Sequence, residues 1–333
     1  MKRIDSTLRA ALAIALGTGA LLPLDAQSKD PKKDPDQIGN RDVGKGVNFY
    51  SLEKEMALGK QLAQEVEREV KLVDDPIPAE FINRLAQNLA RNSDIKVPVS
   101  SRLIDSGEVN AFALPGGFLF VNSGLVLKAE TEAELASAMA HEIAHVAARH
   151  GTRQASRGQM IDIASLPLIF LGGWPGYLAR QGAGLAVPLT FLKFSRSFER
   201  EADLLGLQYL YAAGYDPTAF VDFFERMEAM EKKKPGTVSE LFRSHPNMAT
   251  RIQSTQKNIQ DLLSIRPEYV ISTSEFQDIK RQLTLMAGAR RATPEKSGPT
   301  LRRRAGSDPA PGDGGEGAKS DQDERPTLKR RNL

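Results

Sequence analysis

The chain has 333 residues, 41% of them hydrophobic and 26% charged, with a formal net charge of +3 and no cysteine. That balance fits a globular protein long enough to bury a core, and so small a net charge gives no footing for nucleic-acid binding. Without cysteine there is no disulfide framework, no thiolate-held zinc and no thiol nucleophile, so a bound metal would have to be held by histidine and carboxylate.

The N-terminus reads MKRIDSTLRAALAIALGTGALLPLDAQSKD. Lys2, Arg3 and Arg9 precede an apolar run from Ala10 to Leu22, Pro23 ends it, and the small Ala26 follows. This is the outline of a secretory signal peptide over residues 1–26, too short for a membrane span. The location that follows is a bacterial cell envelope, the periplasm, with an uncleaved membrane anchor as the alternative. Residues 27–47, rich in Lys, Asp, Pro and Gly, read as a flexible linker.

Helical spacing of apolar residues runs from Ser51 to Leu72 and again from Ala79 to Asn92. Residues 97–104 read as a strand. In VNAFALPGGFLFVNSGLV, residues 109–126, two alternating runs flank Pro115-Gly116-Gly117, the pattern of two strands joined by a tight turn. Residues 131–149 form a helix framed by the capping box Thr131-x-x-Glu134, with Gly151 expected as its left-handed terminator. Its inward stripe is Leu135, Ala138, Met139 and Val146. Residues 159–192 are apolar but broken by Pro and Gly, which argues against a single spanning helix. A lid or wall over a cleft, contact with a membrane surface, and plain core are the three readings of that segment. Helices follow from Phe194 to Ala213, from Pro217 to about Lys232, and from Pro246 to Leu263. The domain so outlined spans 48–290, and 291–333, polar and nearly free of apolar residues, reads as a disordered tail. No internal repeat is visible.

The chemistry gathers in HEIAHVAARH, residues 141–150. His141 and His145 stand four apart and so share one helix face, from which both imidazoles aim at one point. Glu142 is adjacent and reaches a metal-bound water as general base. This is HExxH, a zinc-hydrolase signature that needs a third ligand to mean anything. The alternative is a pair of helix-surface histidines beside a salt-bridging glutamate. The metzincin continuation fails, because position 151 is Gly rather than His, and no glutamate occurs between His145 and Phe198. The next carboxylates lie in FSRSFEREADLLG, residues 194–206. Glu199 and Asp203 share a face, and the small Ala202 and Gly206 on that side permit close approach to the HExxH helix. Glu199 is then the candidate third ligand, and Asp203 the acceptor of a ligand histidine's free N–H. A solvated charged face is the competing reading of Glu199, Glu201 and Asp203.

Taken together, NAFALPGG, HEIAHVAARH and SFEREAD resemble the HtpX and CAAX-prenyl-endopeptidase family of gluzincin zinc metalloproteases. Within it, an exported chain resembles the periplasmic, BepA-like branch, here without that branch's helical-repeat domain. The likeness covers roughly residues 48–265. It implies an α+β, zincin-like metalloprotease fold, mostly helical, with a small sheet whose edge strand carries Asn110, Ala111 and Phe112 beside the active-site helix. It implies one Zn2+ per chain on His141, His145 and Glu199, with Glu142 as catalytic base. His245, in RSHPNMATRI, matches a family His-Pro. It would act catalytically on the oxyanion or fill the open zinc position at rest, unless it merely packs at a helix entry. His150, off the ligand face, reads as structural.

The expected function is metalloendopeptidase cleavage of misfolded or unassembled cell-envelope proteins, recognised by strand addition at the Asn110–Ala113 edge. The alternative is a zinc-bound, chaperone-like envelope assembly factor with latent proteolysis. Expected partners are unfolded or misfolded proteins and no nucleic acid, with peripheral contact through 159–192 to the inner or outer membrane as a further expectation.

Overall fold

The computed structural model describes residues 30–163, 194–236, 245 and 248–292. The expected signal peptide, most of the apolar 159–192 segment and the polar tail lie outside the described residues. The chain divides into a unit Met1–Arg291 and a second unit, Ala292–Leu333, of which only Ala292 is described.

Two 3-10 turns, Pro31–Lys33 and Pro35–Gln37, open the described chain. Helices α1 (Leu52–Glu69) and α2 (Pro76–Arg91) follow, then strands β1 (Ser100–Ile104), β2 (Ala111–Leu114) and β3 (Phe118–Asn122). After these come α3 (Ser123–Lys128), α4 (Glu132–Ala147), α5 (His150–Ile163), α6 (Arg196–Ala212), α7 (Ala219–Lys233), α8 (Met248–Leu262) and α9 (Ser274–Ala292). No helix among the described residues is long and apolar enough to cross a membrane.

The sheet order is β1-β3-β2. β2 and β3 pair antiparallel through the Pro115-Gly116-Gly117 turn, as the alternation predicts. Gly116 and Gly117 both have positive φ, and a Cβ on Gly117 would lie 2.1 Å from Pro98 O, so only glycine fits there. β1 joins β3 in parallel, a pairing that the local pattern does not contain. The pleat sorts the side chains. Leu103, Ala111, Ala113, Leu119 and Val121 enter the main core with α2 and α4, while Ile104, Leu114 and Phe120 meet Ala63 and Val66 of α1 on the other face. β2 is left as an edge strand.

α4 is the central element. Thr131 caps it, accepting from Glu134 N at 3.1 Å, while Glu134 Oε2 accepts from Glu130 N rather than from the cap residue itself. Every residue from Glu132 to Ala147 is buried, so the expected one-sided stripe understates the helix. A helix covered all round belongs to the core, and α2, α6, α7 and the sheet surround this one. Its end also differs from expectation. Arg149, not Gly151, takes the left-handed conformation (φ 56°), and Gly151 lies inside α5. The Arg149 side chain accounts for this: it donates to Glu55 at 2.8 Å and to Tyr50 O at 2.6 Å, holding the turn against α1.

Two further differences concern the flanks. The stretch read as a linker is built into the structure from Asp30 onward. Arg41 is buried, pairs with Asp94 at 2.8 Å and donates to Gln208 Oε1 at 2.7 Å. Composition hid this because a buried arginine, with only Val43 and Ile38 as apolar contacts, anchors the segment. α9, unforeseen in the sequence, packs Phe276, Ile279 and Leu283 into the core.

Candidate metal centre

His141 and His145 leave the same face of α4, with ring centroids 4.7 Å apart and their Nε2 atoms 3.0 Å apart. α6 brings Glu199 from its first turn. Its Oε2 lies 3.5 Å from His141 Nε2 and its Oε1 3.5 Å from His145 Nε2. The close approach depends on Gly206, whose Cβ, if present, would stand 3.0 Å from His141 Cα and from His141 N. Before α8, His245 places Nδ1 3.3 Å from His141 Nε2 and 2.9 Å from Glu199 Oε2.

One ligand atom from each of His141, His145, Glu199 and His245 lies within 4.8 Å of the others, and all four residues are buried. Zinc bound tetrahedrally at about 2.0–2.1 Å separates its ligand atoms by about 3.4 Å. The shorter spacings here, from 2.9 to 3.5 Å, are of that size, and no pair in the set exceeds 4.8 Å. Glu199 Oε1 is buried without a hydrogen-bond partner, an orphan that a metal ion would satisfy. The donor set of imidazole and carboxylate suits zinc, so the residues fit the ion.

The electrostatics agree. Burial pushes the His145 imidazole well below its ordinary pKa, into the neutral form that ligates. Burial would raise Glu199, but the His245 charge and bonds from His141 and His245 hold its carboxyl well below the usual range. Burial also opposes charge on His245, yet Glu199 and Glu142 lift it to about 10. Two buried carboxylates therefore favour positive charge at this point.

Around the ligand atoms, Asp203 Oδ1 meets His141 Nδ1 at 3.0 Å, the partnership expected from the sequence. Arg251, which the sequence reading passed over, grips Asp203 with two bonds, Nη2 to Oδ1 at 2.6 Å and Nε to Oδ2 at 2.8 Å. Burial works against the Asp203 anion, but Arg251 and the bond from His141 together more than offset it, so its pKa is lowered. Arg251 lies within RSHPNMATRI, and a buried Asp203 calls for a cation. That need was the available signal.

Glu142 is buried beside the ligands. Its Oε2 accepts the Ala113 N–H of edge strand β2 at 3.1 Å, and its Oε1 lies 3.3 Å from His245 Nε2. Asn110 immediately precedes β2, with its Oδ1 buried and unpartnered, and Phe112 turns to the other face to stack on Phe120. A small apolar cavity beside His141 and Glu142 is lined by Ala111, Leu125, Ala138, Phe223 and Phe224. His150 is buried behind His145 and outside the ligand cluster.

Comparison with known proteins reaches the same place. The model of Peptidase family M48 matches residues 76–259, which include all these groups. The beta-barrel assembly-enhancing protease of Escherichia coli K12 is 29% identical over 290 residues, 83% of this chain and 56% of that protein. This chain therefore spans little more than half the length of that relative. The mitochondrial metalloendopeptidase OMA1 of Schizosaccharomyces pombe is 30% identical over 234 residues, 66% of this chain and 64% of its own. The metalloprotease LoiP of Escherichia coli K12 is 29% identical over 210 residues, 62% of this chain and 79% of its own. The α+β zincin-like fold and the resemblance carried by the three motifs are borne out: the chain belongs to peptidase family M48.

Proposed function

We propose that the protein is a zinc-dependent endopeptidase of the periplasm, exported by its N-terminal segment, that cleaves misfolded or unassembled cell-envelope proteins. The observation that carries this reading is the convergence of His141, His145 and Glu199 on one point with the Glu142 carboxylate beside it. Held by His141, His145 and Glu199, a zinc ion would supply Lewis acidity toward the scissile carbonyl and would lower the pKa of a water there toward about 7. The remaining tasks fall to the chain. Glu142 takes the proton of that water and hands it to the leaving amine. Asp203, itself clamped by Arg251, holds His141 in the tautomer that ligates through Nε2.

Among the described residues β2 pairs with no strand on its outer side, which supports substrate recognition by strand addition there. The N–H of Ala113 points away from β3 to Glu142, so by alternation the main-chain groups of Ala111 and Ala113, between Asn110 and Leu114, lie on the side of β2 away from β3. An extended segment added there would be read mainly through its backbone, which suits unfolded chains of varied sequence. The similarity to the beta-barrel assembly-enhancing protease of Escherichia coli supports envelope proteins as the substrate class.

His245 qualifies this reading. Its Nδ1 lies among the ligand atoms and its Nε2 beside Glu142, which supports a resting state in which His245 fills the fourth metal position and holds the base. The same closeness favours the second reading, a zinc-bound assembly factor whose proteolysis is suppressed. The test is cleavage of unfolded casein by zinc-loaded protein, together with peptides blocked or free at the amine. Internal cleavage that a chelator abolishes and zinc restores, equal for both peptides, is the expected result. Intact casein under all conditions would overturn the endopeptidase reading.

A further inference from the structure

The side of His145 turned away from the ligand cluster is also engaged. His145 Nδ1 lies 3.0 Å from His150 Nδ1, and His150 Nε2 lies 3.0 Å from Glu201 Oε2. Arg153 Nη1 reaches the same oxygen at 3.2 Å, and Lys32 Nζ pairs with Glu201 Oε1. His150 has no exposed surface, and its ring stacks on Phe198 with centroids 4.3 Å apart.

Chemistry fixes the direction of these bonds. Two imidazole nitrogens that face each other at hydrogen-bond distance share one proton. A histidine that ligates a metal through Nε2 carries its own proton on Nδ1. His145 is therefore the donor and His150 Nδ1 the acceptor. The proton of His150 must then sit on Nε2, where Glu201 accepts it. The Glu201 charge is in turn balanced by Lys32 and Arg153. With neutral rings, no other tautomer assignment satisfies both bonds.

The two ligand histidines are thus backed differently. Asp203 reaches His141 Nδ1 directly, whereas on the Nδ1 side of His145 the carboxylate of Glu201 stands one imidazole further off. The left-handed Arg149 is what lets His150, five residues after His145, turn back to fill that gap. Lys32 belongs to the N-terminal segment, which Arg41 holds in place through the carbonyls of Pro31, Lys32 and Asp34.

We infer that His150 and Glu201 are positioning residues of the metal centre, a relay that fixes the tautomer and ring orientation of His145 and is tied to the N-terminal segment through Lys32. This rests on the reading of His141, His145 and Glu199 as zinc ligands. Orienting partners of this kind are generally worth about 10–100-fold in metal affinity.

The experiment is a zinc titration of the full chain against a competing chromogenic chelator, with the absorption spectrum of the cobalt-substituted protein as a second readout. In His150→Phe, which keeps a ring against Phe198, the zinc dissociation constant should rise about 10–100-fold. In Glu201→Gln, which keeps an acceptor but loses its charge, the rise should be smaller, about 3–10-fold. The cobalt bands should shift in both. Affinity within about twofold of wild type and an unchanged cobalt spectrum, even with a lowered melting temperature, would reduce the relay to core packing and overturn the inference. If His150→Phe does not fold, Glu201→Gln decides by the same criteria. A wild type that binds no zinc is a separate failure, of the metal reading itself.

Discussion

The side chains of the metal centre act through their partners. His141 is fixed by Asp203 and Asp203 by Arg251, and Arg251 with His141 keeps the carboxylate ionised against the opposing effect of burial. His245 spans the ligand cluster and the base, with Nδ1 2.9 Å from Glu199 and Nε2 3.3 Å from Glu142. If that arrangement holds about 70–90% of the molecules closed, His245→Ala should raise casein cleavage about 3–10-fold with zinc content unchanged. Steady-state cleavage and metal analysis check this. A fall of tenfold or more (roughly 1.4 kcal/mol in the barrier) would instead make His245 a participant in the reaction. The pairing of His141 with His145, and of Glu199 with Asp203, was legible in the sequence because helical spacing puts residues four apart on one face. Arg251 and the contact of His150 with His145 were not, since both depend on how separate helices, or a left-handed turn, return to the site.

At the scale of elements, the site exists because α6 lies close against α4. The small Ala202 and Gly206 announced that approach in the sequence, and Gly206 now sits against the backbone of His141. Gly206→Val should therefore cost about 1–3 kcal/mol of stability by overpacking, read from denaturant unfolding. It should also weaken zinc binding, because it pushes Glu199 away from His141. Full stability with wild-type zinc affinity would show that the helices have slack that the contact distances deny. Local periodicity also gave the β2–β3 hairpin and most helix bodies, with ends displaced by a few residues. It did not give the parallel pairing of β1 with β3, since a non-local pairing leaves no mark in local alternation. Nor did it reveal that α4 is buried on every side. Glu132, Glu134 and Ser137 look like a solvent face in sequence, but each is buried with a partner: Tyr215 for Glu132, Arg226 for Glu134, and the Ala219 carbonyl for Ser137.

At the scale of the described fold, the segment from Asp30 to Val47 is part of the folded unit that carries the candidate site. Arg41 and Asp94 form a buried ion pair, and Asp94 also accepts from Gly39 N and Tyr209 OH. Removing one partner of such a pair leaves a buried charge and costs about 3–5 kcal/mol. Arg41→Ala should thus lower the melting temperature by about 10 °C, measured by calorimetry or circular dichroism. A shift under about 2 °C would return the segment to the role of a linker. Composition pointed the other way, because Lys, Asp, Pro and Gly dominate there and the anchoring bonds reach residues 53 and 167 positions away. The central claim remains the zinc centre with Glu142 as its base. It is tested most directly by zinc content and casein cleavage measured together for wild type and Glu142→Gln. One zinc per chain in both, with cleavage lost only in the variant, is the predicted result. Equal cleavage by the two proteins, or a wild type that cleaves without zinc, would contradict it.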